Sequence, residues 1–328
     1  MNNNKENMNR GYGIALISAL ILSTTAIFVR YLTQTFSLPP LILAFWRELI
    51  VALTLLIVFL AAFRHLLKVR SSDLPILLLY GLTLAVFNAL WTVAVAMNGA
   101  AVSTVLVYTS TAFTAILGHW LLKERLAWIK IVAVFISLGG CVLVSGALDR
   151  SAWISNGLGI LTGILSGLSY AVYSLMGRAA GKRGINPWTT LLYIFGIAAL
   201  ILLILNLCFG KFLPGAAVHL KDFLWLGDSI KGWGILFLLA AGPTVVGFGM
   251  LNISLARLPA SVVNLIVSLE PAFTTIIAYF FLSERLSGLQ IAGSLMIMVG
   301  VVFVRLEENR AMDKAQAKAA KIECLSSN

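Results

Sequence analysis

Three charged side chains stand inside apolar runs of this chain: Arg47, Glu48 and Glu270. An ionised group at the bilayer centre costs about 2.5–3.5 kcal/mol on insertion scales, so it faces a wet cavity, pairs with an opposite charge, or carries a proton. The chemistry open to these three is recognition and proton transfer, not bond making. For Glu270 two functional roles fit, contact with a substrate ammonium or proton coupling. The structural alternative is a packing carboxyl hydrogen-bonded to its neighbours. Pro271 beside it frees a carbonyl one turn back, a break that lines a cavity rather than lipid. Arg47 and Glu48 are adjacent and point about 100° apart on a helix, so each is expected to pair with another span, or Arg47 to snorkel outward. Coupling or gating is the functional reading of all three, including an Arg47–Glu270 bridge that closes an outer gate. Arg47 also suits a substrate carboxylate.

Uncharged polar residues recur at helical spacing around these charges. Asn264, Ser268, Pro271 and Thr275 share one face of their run, and Thr104, Tyr108, Thr111 and Ala115 share the matching face of an earlier one. Asn88, Trp91 and Thr92 form a polar-aromatic patch, and Asn252 falls opposite Thr92. Ser23, with Ser169, Tyr170 and Tyr173, completes a candidate substrate cavity. Taken singly, each residue is also explained as interhelical glue of about 0.6–1 kcal/mol. Gly159, Gly163 and Gly167 make a double GxxxG ladder, which reads as close helix packing. They are not a phosphate loop, because no Lys-Ser/Thr follows with P-loop spacing. Glu124 and Glu284 sit at helix ends and read as structural anchors.

The elements that must hold these residues follow from composition. The chain has 328 residues, 60% hydrophobic and 11% charged, where soluble domains run at roughly 25% charged. That excludes soluble enzymes, disordered chains and disulfide-stapled domains. Cys141, Cys208 and Cys324 form no metal or redox spacing, and the three histidines are scattered, so no metal or cofactor is expected. Ten runs are long enough to span a bilayer as helix: 11–33, 41–63, 74–97, 101–122, 128–147, 157–179, 188–209, 233–256, 261–282 and 288–305. The loop 210–231 reads as an amphipathic surface segment. Residues 1–10 and 306–328 read as polar tails, the latter solvated and partly helical.

Orientation follows from Lys and Arg. With the N-terminus inside, the cytoplasmic side receives Arg64, Lys68, Arg70, Lys123, Arg125, Lys130, Arg178, Lys182, Arg183, Arg257 and both tails. The outside receives only Arg30, Arg150, Lys211, Lys221, Lys231 and Arg285. The net charge of +11 therefore reports topology, and no nucleic-acid partner is expected.

The sequence also repeats itself. Shifted by 160 residues, Ala112-Phe113-Thr114 falls on Ala272-Phe273-Thr274, and Leu122, Glu124, Arg125 and Leu126 on Leu282, Glu284, Arg285 and Leu286. Gly11-Tyr-Gly-Ile matches Gly157-Leu-Gly-Ile. Two halves, 11–147 and 157–305, hold five spans each, and an odd number forces the second copy to insert inverted. Inverted repeats give a scaffold two states of similar energy, open to opposite sides, which is transporter architecture.

These residues resemble the EamA family of the drug/metabolite transporter superfamily. The likeness rests on the Leu-Lys/Ser-Glu-Arg-Leu closures, on Phe45-Trp46-Arg47, and on Leu269-Glu270-Pro271-Ala272-Phe273. It covers about 11–305 and departs at Lys123 and Ser283, at Glu48, and at Ser110-Thr111 opposite Glu270-Pro271. The last departure makes the halves functionally unequal. The resemblance implies export or exchange of small metabolites such as amino acids through a central cavity, in a multi-pass protein of the plasma or inner membrane. The reading is then an all-α integral membrane protein of ten helices in two inverted five-helix repeats, both termini cytoplasmic, monomeric or homodimeric. Its partners are a small-molecule substrate and the bilayer. Rival readings are a membrane enzyme acting on lipid-linked substrates, for which no loop offers paired carboxylates or a His/Asp set, and a non-transporting scaffold.

Overall fold

The computed structural model describes residues 2–124, 127–145, 148, 157–213, 215–282 and 287–326. These form helices and no strands: α1 (Asn2–Ser23), α2 (Thr25–Thr35), α3 (Pro40–Ala62), α4 (Leu74–Tyr108), α5 (Ser110–Leu122), α6 (Trp128–Ser145), α7 (Gly157–Lys182), α8 (Pro187–Phe209), α9 (Ile230–Leu239), α10 (Val245–Arg257), α11 (Ala260–Val267), α12 (Glu270–Leu282) and α13 (Gly288–Ser326). Seven helical stretches among the described residues are long and apolar enough to cross a membrane. Three shorter apolar ones are Trp128–Val144, Ala260–Thr274 and Gly288–Val304. Large apolar side chains such as Leu79, Phe135 and Leu200 lie exposed on the outside of the bundle. That placement is stable only when lipid is the solvent.

The helices differ from the expected runs at their ends and at their breaks. α1 begins at Asn2, within the expected polar tail, and α13 continues unbroken through the tail after 305. Alanine, lysine and glutamate there favour helix irrespective of burial. The runs expected at 11–33, 101–122 and 261–282 are each interrupted, at Thr24, at Thr109 and at Ser268-Leu269. A hydroxyl back-bond accompanies each break. Thr24 Oγ1 donates to the carbonyl of Ile21 (2.7 Å), Thr109 Oγ1 to Leu106 (2.5 Å) and Ser268 Oγ to Leu265 (2.6 Å). A hydroxyl that takes over a carbonyl from the helix ladder bends the helix. The run at 233–256 is interrupted by a π-helical turn, Ala240–Thr244, around Pro243. There a backbone donor is missing and Thr244 Oγ1 reaches Leu239 O instead (2.8 Å).

No gap separates 97 from 101, where two spans were expected to be joined by a loop. α4 covers both of these runs, yet the chain reverses within it, which a regular helix cannot do. Tyr80 lies against Gly177 and Leu106 against Gly163. A straight helix would separate Tyr80 from Leu106 by about 39 Å, whereas the matching stretch of α7 spans only about 21 Å. α4 therefore folds back on itself after Phe87, which meets Tyr170. α5 then descends alongside α7, Thr109 meeting Gly167 and Gly118 meeting Leu175.

The packing pairs helices reciprocally. α4 lies along α7 and α1 along α10, while α3 meets α8 and α6 meets α13. At the α6–α13 crossing a Cβ on Gly140 would stand 2.6 Å from Gly293 O, and one on Gly293 would stand 2.6 Å from Gly140 O. Backbone touches backbone here, so Gly140→Ala should lower the thermal unfolding midpoint in detergent, at a cost of about 1–3 kcal/mol from overpacking. An unchanged midpoint would show that the crossing can widen freely. Gly163 and Gly167 lie against Leu106, Val107 and Thr109, and Gly159 is buried on the same helix.

The loop 210–231 is more ordered than a surface segment. It carries a 3-10 turn (Leu220–Leu224), and Phe223, Leu226 and Ala217 are buried. The backbone N–H groups of His219 and Val218 donate to the Asp222 carboxylate, both at 2.8 Å, and hold its carboxyl below the usual carboxylate range.

Candidate functional site

The interior charges of α3 meet α4. Arg47 Nη2 donates to Asn88 Oδ1 at 2.8 Å, Asn88 Nδ2 donates to Glu48 Oε1, and Arg47 Nη2 lies 3.5 Å from that same oxygen. Arg47 is 6% exposed, Asn88 2% and Glu48 0%. The expectation that adjacent charges cannot meet is corrected here. The long guanidinium arm curls back, and Asn88 on the neighbouring helix bridges the two groups. Among the described residues, two polar atoms of the cluster have no hydrogen-bond partner, Arg47 Nε and Glu48 Oε2. A donor and an acceptor, both dry and both free, are the complement of a ligand that carries an anion beside a cation.

Glu270 belongs to a second cluster, so the Arg47–Glu270 bridge is not formed. Its carboxylate opens α12 and accepts from Tyr108 Oη at 3.1 Å. A helix N-terminus favours a negative side chain, and Pro271 occupies a first-turn position where its missing donor costs nothing. Between the two acids stands a column of aromatic rings. Tyr170 and Tyr173 stack with centroids 5.8 Å apart, Tyr80 lies 4.8 Å from Tyr173, and Phe87 lies 5.0 Å from Tyr170. Glu48 is within electrostatic reach of Tyr173, and Glu270 of Tyr170. Asn252 ties the column's far end, accepting from Tyr80 Oη (2.9 Å) and donating to Tyr173 Oη (3.2 Å).

The remaining candidate positions divide. Asn264 links three helices, donating to Thr114 Oγ1 at 2.5 Å and accepting from Ser174 Oγ at 3.3 Å. Ser23, Thr92, Thr111 and Ser268 each turn their hydroxyl back to their own helix, on Leu20, Asn88, Tyr108 and Leu265. Each uses the second lone pair of a carbonyl three or four residues behind, the nearest acceptor a helical hydroxyl meets. Trp91 is half-buried against the apolar core, and Ser169 is also half-buried. The side chains of Thr104 and Thr275, and the whole of Glu284, lie outside the described residues. Sequence reasoning missed Tyr80, Thr114 and Ser174. Tyr80 stands among leucines, whereas Thr114 and Ser174 lie beside polar residues already singled out, Thr111 and Tyr173.

Contacts tie the helices together at two ends of the interior. Where α3 begins, Trp46 Nε1 donates to Phe223 O (2.7 Å), and Phe45, Trp46, Phe223 and Trp233 pack edge to face. Where α5 and α7 end, Glu124 crosses to the start of α11. Its carboxylate accepts from Ala260 N (2.7 Å), Ser261 N (3.3 Å) and Ser261 Oγ (2.6 Å). Arg178 beside it donates to the last carbonyls of α10, those of Leu255 (3.3 Å) and Ala256 (2.8 Å). One acid thus caps a helix start while one base caps the preceding helix end.

Comparison with known proteins places this arrangement. The signature of the EamA-like transporter family matches twice, over residues 9–146 and 157–306. An uncharacterised transporter of Archaeoglobus fulgidus is 26% identical over 90% of this chain and 96% of its own length. One from Clostridium kluyveri is 24% identical over 93% and 96%. The threonine/homoserine exporter RhtA of Salmonella typhimurium is 29% identical over 68% of each chain. A crystal structure of a protein only 18% identical superposes with a TM-score of 0.73, covering 92% of this chain and 99% of that one, which shows a shared fold.

Proposed function

We propose that this chain, which belongs to the EamA-like transporter family, carries a small zwitterionic metabolite such as an amino acid out of the cytosol by alternating access. Transport is the family's activity, and the named relatives are transporters rather than enzymes. Substrate class and direction are our reading. The observation that carries it is the buried Arg47–Glu48–Asn88 cluster with its free Nε and Oε2. A ligand carboxylate would meet the guanidinium, and its ammonium the free carboxylate oxygen. The 29% identity to a threonine/homoserine exporter supports the same class and direction.

We place ten spans in the cell membrane, as two inverted halves with both termini cytoplasmic. The reciprocal pairing of α1 with α10 and of α4 with α7 supports that twofold relation, and the Lys/Arg distribution supports the orientation. In this orientation the Trp46–Phe223 contact is the outer closure and the Glu124–Arg178 capping the inner one. Alternating access opens them in turn around a fixed central site.

Counterflow in proteoliposomes tests the reading. Vesicles preloaded with unlabelled threonine or homoserine should accumulate the labelled amino acid transiently and saturably. No counterflow of any neutral amino acid sinks the substrate class.

Glu270 carries the proposed proton coupling, through its bond to Tyr108. Glu270→Gln keeps the side-chain shape and a hydrogen-bond acceptor but cannot take up a proton. The parent should show pH-dependent counterflow and the variant a flat profile. A variant with the parent's pH profile removes Glu270 as the coupling group.

A further inference from the structure

At the end of the bundle where α3 leads into α4, the connection 63–73 and the α7–α8 turn enclose a cavity of about 270 Å³. Its wall carries Lys68 and Arg70 from one segment and Arg183 from the other, with His65 and a single carboxylate, Asp73. Among the described residues no carboxylate lies within ion-pair distance of Lys68, Arg70 or Arg183. Three like charges around one small space repel one another, and the single carboxylate of the wall, Asp73, is outnumbered by them. An anion from outside would offset the excess.

Both walls are fixed before any ligand arrives. Thr189 Oγ1 donates to Leu66 O and Tyr193 Oη to Leu67 O, each at 2.8 Å, which pins the α3–α4 connection onto α8. On the other wall Gly184 takes a left-handed turn (φ +74°), and Ile185 N returns to Ala180 O at 3.2 Å. Asn186 then caps the start of α8 by accepting from Trp188 N at 2.9 Å. Large apolar side chains flank the cavity in the chain and face outward, Phe63 (47% exposed), Leu74 (42%) and Leu78 (56%). A polar, cationic recess at a helix end beside lipid-facing apolar surface matches a molecule with a phosphate and acyl chains.

We propose that this recess binds the phosphate of an anionic phospholipid, held by Arg70, Arg183 and Lys68, with the acyl chains along Phe63 and Leu74. In the orientation proposed above it opens on the cytoplasmic leaflet, where basic pockets between membrane helices take anionic headgroups. The two walls belong to different halves of the chain, so a bound headgroup would brace one half against the other.

The test uses the full chain in detergent and reads its thermal unfolding midpoint. Phosphatidylglycerol should raise the midpoint by about 3 °C or more at saturation, as expected for a ligand that binds only the folded state. Phosphatidylcholine and inorganic phosphate serve as the other arms. Arg70→Gln with Arg183→Gln should leave the lipid-free midpoint near that of the parent, since both side chains are exposed. The same pair should weaken the response to phosphatidylglycerol about 30-fold in concentration, from about fivefold per cation. A response to inorganic phosphate equal to that for the lipid overturns the lipid source. No response to phosphatidylglycerol, or one unchanged in the double variant, overturns the site.

Discussion

Arg47→Ala should abolish counterflow and cost about 3–5 kcal/mol of stability, the penalty for leaving a buried charge without its partner. Glu48 is fully buried and shares its one bonded oxygen between Asn88 and Arg47. Without the guanidinium it must stay ionised in a dry interior or take up a proton. Either outcome lowers the unfolding midpoint in detergent and the yield of folded protein. Loss of transport alone would therefore prove little. The informative variant is the pair Arg47→Met with Glu48→Leu. Replacing a buried ion pair by apolar residues of similar volume is often neutral or stabilising, so the pair should recover most of the midpoint lost by Arg47→Ala. It should not recover counterflow, because both groups proposed to hold the zwitterion are gone. If the double variant transports like the parent, the charges serve only to join α3 to α4, and the proposed substrate site fails.

The second large effect is expected at Glu124. Its carboxylate makes three hydrogen bonds to the first two residues of α11, across more than a hundred residues of sequence. Glu124→Ala leaves Ala260 N–H and Ser261 N–H without a partner at a helix start. Losing such a cap costs about 0.5–2 kcal/mol, and the lost charge at the positive end of the helix adds a fraction more. The fold should survive that. The closure should not, because the first turn of α11 then loses its hydrogen bonds to Glu124 and only the Asn264–Thr114 bond, one turn further in, still joins α11 to α5. A cysteine placed at Ser261 should react faster with a membrane-impermeant thiol reagent applied from the cytoplasmic side, by about tenfold if the loss of about 1.4 kcal/mol falls wholly on opening. Glu124→Gln retains one acceptor oxygen and should lie between the parent and the alanine variant. Equal labelling in all three would leave Glu124 as an anchor without a gating role.

Particular residues show how far the sequence could be read. The family, the apolar runs and their helical state follow from hydropathy and repeated segments, because a bilayer imposes its rule residue by residue along the chain. Arg47, Glu48 and Glu270 stood out for the same reason. Their partners did not. Asn88 was placed in a polar patch with Trp91 and Thr92, and nothing local says that its amide reaches back to α3. Thr111 and Ser268 have the spacing of a lining stripe. Yet a hydroxyl on a helix always has its own carbonyls within reach, and spacing cannot tell whether it turns inward or back. The same back-bond accompanies the helix breaks at Thr24, Thr109 and Ser268-Leu269, which the run lengths read as continuous.

Sequence alone thus determined that this is a helical membrane protein with repeated halves and three interior charges. Each of those is a property of single residues or of short windows measured against lipid. Only the tertiary structure decided that Arg47 and Glu48 share Asn88, that Glu270 answers to Tyr108, and that Glu124 closes a helix of the other half. Those pairings join residues up to 162 positions apart, and hydrogen bonds and ion pairs form by distance in space, which the order of residues along the chain does not encode.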